Sequence, residues 1–420
     1  MTDRTVTADV VVVGCGPGGA VLAYLLARSG IDVALVERAA TFEREFRGFG
    51  WNPGVVRLFD EMGILDDVLD LAHEQVTEGS FSLYGEEVTV LDFDTLDTDY
   101  PYALMMEQPA LLEYLVERAG AYDGFAFHPA TTVTGLRTDE SGTVRGVRAN
   151  DRDAGEGVAF DARVVVGADG RYSTVRESAG IDAGLFESPF DLVWFKLPRG
   201  AVDAHAQGRI DREGLLVYFG LGGGDLQIGY PVRPDDWTAI REAGFDAFRD
   251  RVAAIDPRVG DAVDTHLDGF RDTSLLDVAP GVADQWTADG LLLLGDAAHT
   301  ASPIGAQGNP LAVEDAVVAH HHLVSALASG DGTVPGDRLR EFETRRRPTV
   351  ERVVALQRRA GKAIGFWLDY GEYAPPRLVR AAVVTFGQRL PRFGPIRGSV
   401  ESFALGDQSV SVARSRFIDR

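Results

Sequence analysis

Apolar positions run unbroken through Val10 to Val13, Val164 to Val166 and Leu291 to Leu294, as in strands buried on both faces of a parallel sheet. Elsewhere the pattern alternates. "GSFSLYG", "DLVWFKL", "LLVYFG" and "LQIGYPV" read as antiparallel strands, with Gly222 to Gly224 as a hairpin turn. Helical spacing takes over in "WNPGVVRLFDEMGILDDVLDLA", in "MMEQPALLEYLVERAG", entered at Gln108 and Pro109, and in "LAVEDAVVAHHHL". It returns in "REFETRRRPTVERVVALQRRAGKAIGFWLDYG" and stops before Pro375 and Pro376. These elements predict an α/β fold in which a second, sheet-rich unit is inserted into a parallel-sheet unit.

The first strand leads into "GCGPGG", where Gly14, Gly16 and Gly19 form G-x-G-x-x-G, with Glu37 at the end of the next strand. Strand before, helix after and an acid about 20 residues on identify a Rossmann-type dinucleotide fold. Gly14 permits the tight turn, Gly16 lets backbone approach a pyrophosphate and Gly19 brings helix close to strand. Glu37 can accept hydrogen bonds from ribose hydroxyls. Gly18 and Arg38 flank these positions and join them as candidate contacts.

A second loop, "GDAAHTASPIGAQGNP", joins Leu294 to the helix "LAVEDAVVAHHHL". Asn309 is placed as N-cap and Pro310 as first helical residue. Such a helix start carries unpaired N–H groups and about half a positive charge, and the small residues leave it smooth enough to receive an anion or an electron-rich edge.

Composition narrows the partners. The 420 residues carry a net charge of -23, and the lysines are Lys196 and Lys362 alone. Such a surface repels phosphate backbones, which excludes nucleic acid. The acidity fits either a high-salt cytoplasm or arginine-favouring codon usage in an acidic protein. From Arg377 to Arg420, however, eight arginines stand against three acids, a local balance of +5; this suits paired, solvated faces or, alternatively, contact with a lipid or a partner. Cys15 is the one cysteine, so no internal disulfide forms and the chain suits a reducing cytoplasm. His320, His321 and His322 cannot share a helix face, and no metal site is expected there.

Three segments together resemble the single-component FAD-dependent aromatic hydroxylases, the family of para-hydroxybenzoate hydroxylase and the ubiquinone-pathway hydroxylases. They are the glycine fingerprint with Glu37, "GADGRYSTVR", and "GDAAHTASPIGAQGNPLAVEDA"; "FETRRRPTV" resembles the helix that follows the last motif. The resemblance implies a Rossmann-type FAD-binding domain (1–75, 100–185 and 281–345), an inserted antiparallel-sheet substrate domain (76–99 and 186–280) and a C-terminal helical region (346–420). Within it, Gly295 and Asp296 would meet the ribityl or ribose side of FAD, and Asp169 with Gly170 would support FAD and a passing nicotinamide. Arg47 and Gln108 would contact the FAD phosphates and flavin side chain. Pro303, Gly305, Gly308 and Asn309 would line the flavin ring. The competing readings are turn chemistry for the two aspartates, a surface ion pair for Arg47 and a helix start for Gln108.

The implied activity is a monooxygenase cycle. NADPH or NADH binds transiently and reduces FAD, O2 forms a flavin C4a-hydroperoxide, and one oxygen atom passes to an aromatic, quinone-like or other electron-rich small molecule. On the inserted sheet, Trp194, Tyr218, Gln227 and Tyr230 are substrate-wall candidates; Tyr218 and Tyr230 are also candidates for taking a phenolic proton, or else core aromatics. The family pattern has asparagine where Pro310 stands, so either one N–H donor to the flavin is lost or that donor was dispensable. Two other readings share the segments: a flavin-dependent reductase of an isoprenoid or quinone-like lipid, and a non-catalytic flavin-binding protein.

Overall fold

The computed structural model describes residues 4–43, 48–202, 207–386 and 394–418. Its larger sheet has five parallel strands in the spatial order Phe125–His128, Val33–Val36, Arg4–Val13, Glu156–Gly167, Leu291–Leu293, with Thr287–Ala288 antiparallel at the edge. The unbroken valine runs lie side by side at its centre, Val10 to Val12 opposite Val164 to Val166, and all are fully buried. Each such side chain contributes about 1.5–3 kcal/mol on leaving water. The hairpin Thr131–Thr138 and Val144–Asp151 extends the first half of Glu156–Gly167 beyond the parallel core.

The smaller sheet has seven strands in the order Thr273–Leu276, Asp191–Pro198, Asp225–Val232, Gly214–Gly220, Gly208–Asp211, Glu78–Leu83, Glu86–Asp92. Its strands pair antiparallel except where Gly208–Asp211 meets Glu78–Leu83. The helices Asp236–Ala243, Phe245–Ile255 and Pro257–His266 supply Trp237, Phe248, Val252 and Val259 to the core on one face of this sheet. The opposite face packs on Phe49, Met105 and Ile304 of the larger unit, and this is what sets the inserted sheet over the glycine loops.

Behind the loops runs the helix Gly336–Tyr370, continuous through residue 346, so the boundary expected there falls inside one helix. The C-terminal helix Gly394–Leu405 then returns to the larger unit. Among the described residues, no helix is long and apolar enough to cross a membrane.

The three consecutive histidines diverge as helical geometry requires. His320 is buried, with Nε2 at 2.8 Å from Ser29 Oγ; His321 is exposed, and His322 turns toward Glu341. Burial, with smaller contributions from His321 and Arg416, lowers the His320 pKa to about 4. An unfolded histidine takes a proton near pH 6.5 whereas this one does not, so stability falls as pH drops from about 6.5 toward 4, by on the order of 2–3 kcal/mol. Denaturant titrations across that range are expected to show the slope in the wild type and a flatter profile in His320→Gln.

Candidate active site

The first turn is built by glycines that admit no side chain. Gly14 has φ 101°, and a methyl group placed on it would lie 2.4 Å from the Ala168 carbonyl oxygen. One on Gly19 would lie 2.0 Å from the Gly14 carbonyl oxygen, so the helix Pro17–Arg28 starts directly against the strand turn. Gly16 caps that helix without a side-chain bond, and no acid occupies its first turn, which leaves its positive end available to a phosphate. Glu37 is buried at the rim; its carboxylate accepts from the Cys15 N–H at 2.7 Å and the Ala39 N–H at 2.9 Å. Gly18 also serves helix packing. A methyl there would meet Leu294 Cδ1 at 2.7 Å and the Ala312 carbonyl at 3.0 Å, so it lets two helices touch. Arg38 is exposed beside Glu37, and Arg47 lies outside the described residues.

The second and third segments meet this turn and each other. Asp169 accepts from Ser173 Oγ at 2.5 Å and from the Val175 N–H at 3.1 Å, capping the short helix Thr174–Ser178; burial raises its pKa. This is the turn chemistry weighed against a cofactor role, with Gly170 beside it at φ 86°. Arg176 donates through Nη1 to the Ala297 carbonyl at 2.9 Å, which joins the Asp-Gly segment to the Gly-Asp loop. There Asp296 sits half-buried in the turn Gly295–Ala297.

The loop Pro303–Gln307 reverses direction through two left-handed residues, Gly305 (φ 71°) and Ala306 (φ 53°), both exposed. The reversal starts the helix at Gly308, two residues before the expected Pro310, and Gln307 rather than Asn309 precedes it. Proline at the third helical position costs no helical bond, because first-turn N–H groups have no partner within the helix. Asn309, freed from capping, accepts from Gln108 Nε2 at 2.9 Å; its own Nδ2 is buried without a partner among the described residues. A methyl on Gly48 would lie 2.2 Å from that Gln108 nitrogen, so a third chain segment closes on the pair. By contrast, among the described residues nothing lies within 4 Å of the position a methyl on Gly308 would take.

A buried charge network stiffens the loop from behind. His299 Nε2 and the Gly295 N–H share Asp315 Oδ2, at 2.6 and 3.0 Å. Arg346, fully buried, donates to Asp315 Oδ1 and Glu314 Oε2, each at 2.8 Å. Burial alone would raise the Asp315 pKa, but His299 and Arg346 outweigh it and hold it at about 2. Gln357 adds three bonds to the main chain of Ser302 and Ile304. His299 thus holds the loop of which it is part; Arg346 lies in the "FETRRRPTV" segment, and Gln357 carries no signal beyond its place in a long helix.

Facing the loop is the inserted sheet. Trp194 stands edge-on to Phe49 at 5.5 Å, and Phe49 lies 5.0 Å from Phe219. Gly229, opposite Trp194 in the ladder, makes this possible, since a methyl there would strike both Trp194 and Val217 at 2.7 Å. Gln227 shares this face by strand alternation; it is fully buried, its Nε2 donates to the Phe195 carbonyl at 3.3 Å, and its Oε1 has no partner among the described residues. Tyr218 and Tyr230 do not join the wall. Both point to the other face, into the core with Phe248 and Trp237, and the Tyr218 hydroxyl donates to Asp256 at 3.1 Å. Burial and then Asp256 push the Tyr218 phenol far up, and burial raises Tyr230. As adjacent strand positions face opposite ways, Phe219 and not Tyr218 meets the loop.

These loops can therefore cradle a dinucleotide, with its phosphates at the helix Pro17–Arg28 and a flat ring along Gly305 to Gly308, under an aromatic wall. Residues 7–357 match the family model described as FAD binding domain. The chain is 36% identical over 412 residues to 6-methylpretetramide 4-monooxygenase of Streptomyces rimosus, covering 97% of this chain and 95% of that one. It is 30% identical over 352 residues to the 12-dehydrotetracycline 5-monooxygenase/anhydrotetracycline 6-monooxygenase of Streptomyces rimosus subsp. rimosus, covering 81% and 66%. Among solved structures, PqsL of P. aeruginosa in complex with 2-aminobenzoylacetate superposes with a TM-score of 0.72 at 26% identity, covering 87% and 98%.

Proposed function

Because the chain belongs to the FAD binding domain family, we propose that its substrate is a flat polycyclic phenol of the aromatic polyketide type and that NADPH or NADH is its reductant. The chain is an FAD-dependent monooxygenase of aromatic small molecules, as its relatives are. What supports the substrate class most directly is the likeness to 6-methylpretetramide 4-monooxygenase across nearly the whole of both chains, taken with a wall of Trp194, Phe49 and Phe219 that suits a flat ring system. The reductase and binding-protein readings have no such support.

The residues present fit FAD. The glycine turn, the unpartnered Asn309 Nδ2 and the open side of Gly308 offer a cradle, a buried donor and room for a ring. Once bound and reduced, FAD supplies the oxygen activation. Glu37 would hold the ribose, and the start of Pro17–Arg28 the pyrophosphate. The positive end of Gly308–Leu327 stabilises negative charge beside it by about 0.3–1 kcal/mol, up to about 2 when partly buried. The aromatic wall excludes water and orients the substrate; Gln227 shares its face of the sheet but is fully buried. Tyr218 and Tyr230, on the far face, take no part.

The test is a panel of tetracyclic and smaller phenols, with NADPH, NADH and oxygen consumption followed beside product mass. One added oxygen atom per product is expected; hydrogen gain without oxygen would sink the assignment. Trp194→Ala is expected to raise KM for the accepted phenol by about 10- to 100-fold, through loss of aromatic contact. An unchanged KM would remove Trp194 from the wall.

A further inference from the structure

We propose that Phe403, on the C-terminal helix Gly394–Leu405, is a positioning residue for FAD: it holds the left-handed turn at Gly305 and Ala306 in the shape that receives the flavin ring. This rests on the reading of the Pro303–Gln307 loop as the flavin loop. The family model ends at residue 357, so the segment lies outside the matched region.

The turn needs holding. A left-handed alanine such as Ala306 is a strained conformation and persists only where its surroundings over-determine it. Gln357 fixes the loop's entry at Ser302 and Ile304. Phe403 fixes its middle. Its ring edge lies 3.1 Å from where a methyl on Gly305 would sit, and its carbonyl accepts from Gln307 Nε2 at 3.0 Å, the same nitrogen that donates to the Gly305 carbonyl at 2.7 Å. One amide thus clamps the turn to the C-terminal helix.

The clamp is anchored on two further sides. Asn52 Nδ2 donates to the Phe403 carbonyl at 3.1 Å, and Asn52 Oδ1 caps Pro53–Met62 by accepting from the Val55 N–H at 3.0 Å, so the amide cannot turn over without losing its cap. Gly54 admits the chain, since a methyl there would lie 2.3 Å from the Leu405 carbonyl oxygen. Beyond the helix, the Asp407 N–H donates to Glu314 Oε1 at 2.8 Å, tying the segment to the buried Arg346 network. Nothing in this arrangement serves catalysis directly. Its effect is to fix the surface against which the ring lies.

Three variants separate positioning from mere stability. Phe403→Ala removes the ring. Phe403→Leu restores most of its volume. Asn52→Asp keeps the oxygen that caps Val55 and sets a second oxygen against the Phe403 carbonyl, so it loosens the clamp without emptying space. Each protein is titrated with FAD, and the visible absorption band shape and iodide quenching of the bound flavin are recorded at a temperature well below unfolding. For Phe403→Ala and Asn52→Asp, an altered band shape, greater quenching and a rise of about 10-fold in the FAD dissociation constant are expected, with Phe403→Leu near wild type. Band shape and quenching equal to wild type in both, or a change in Phe403→Ala that Phe403→Leu does not reverse, overturns the proposal. Wild-type protein that binds no FAD overturns the reading of the loop itself, so the two failures are distinguishable.

Discussion

Arg346→Met is expected to lower the unfolding free energy by about 3–5 kcal/mol, the usual penalty for stripping one partner from a buried ion pair. Arg346 is fully buried and spans Glu314 and Asp315, themselves 2% and 0% exposed, so methionine leaves two carboxylates in a dry interior. Replacing all three by apolar residues would still be costly, because the Asp407 carboxylate 3.5 Å from Arg346, His299 and the Gly295 and Asp407 N–H groups would then lose their partners. Arg346→Lys is not conservative here, since one ammonium cannot reproduce the fork that reaches both acids. The loss should extend to the cofactor, as Asp315 also receives the Gly295 N–H and His299. Urea unfolding followed by tryptophan fluorescence measures the first effect. A loss below about 1 kcal/mol, the range of exposed pairs, would mean that the network is not buried as described.

What could be read from residues alone divides along physical lines. The valine runs and the glycine fingerprint were legible because each carries its own geometry: a doubly buried strand is apolar throughout, and a turn that tolerates no Cβ declares itself as glycine. Gly18 shows the limit, since a glycine required by helix contact looks the same as one required by a ligand. On the inserted sheet, alternation places Tyr218 and Phe219 on opposite faces, but which face meets the loop is decided by the covering helices, whose Trp237 and Phe248 claim the tyrosine side. Asn309 followed by proline matches a helix cap; the left-handed pair at Gly305 and Ala306, invisible in composition, moved the start upstream. Arg346, Gln357 and Phe403 act across about 30 to 100 residues of sequence, where no local pattern reports the partner.

Gly19→Ala is expected to reduce FAD affinity by at least about 100-fold, equivalent to about 3 kcal/mol. The new methyl would lie 2.0 Å from the Gly14 carbonyl oxygen, a backbone atom that cannot swing aside. The helix Pro17–Arg28 must therefore retreat from the turn and carry its positive end away from the pyrophosphate. Such a variant also strains the apoprotein, so its loss of affinity alone does not locate the ligand. Gly308→Ala does. No atom of the described residues lies within 4 Å of that methyl, and alanine is the better helix former by about 0.8–1 kcal/mol in a helix interior and less at its first turn, so the apoprotein should be at least as stable as wild type. If the flavin ring lies along this loop, the same methyl stands where the ring must rest, and affinity falls while stability does not. Apoprotein melting and FAD titration on one preparation read both quantities. A Gly308→Ala protein that binds FAD as tightly as wild type would move the ring off this loop, whatever happens at Gly19.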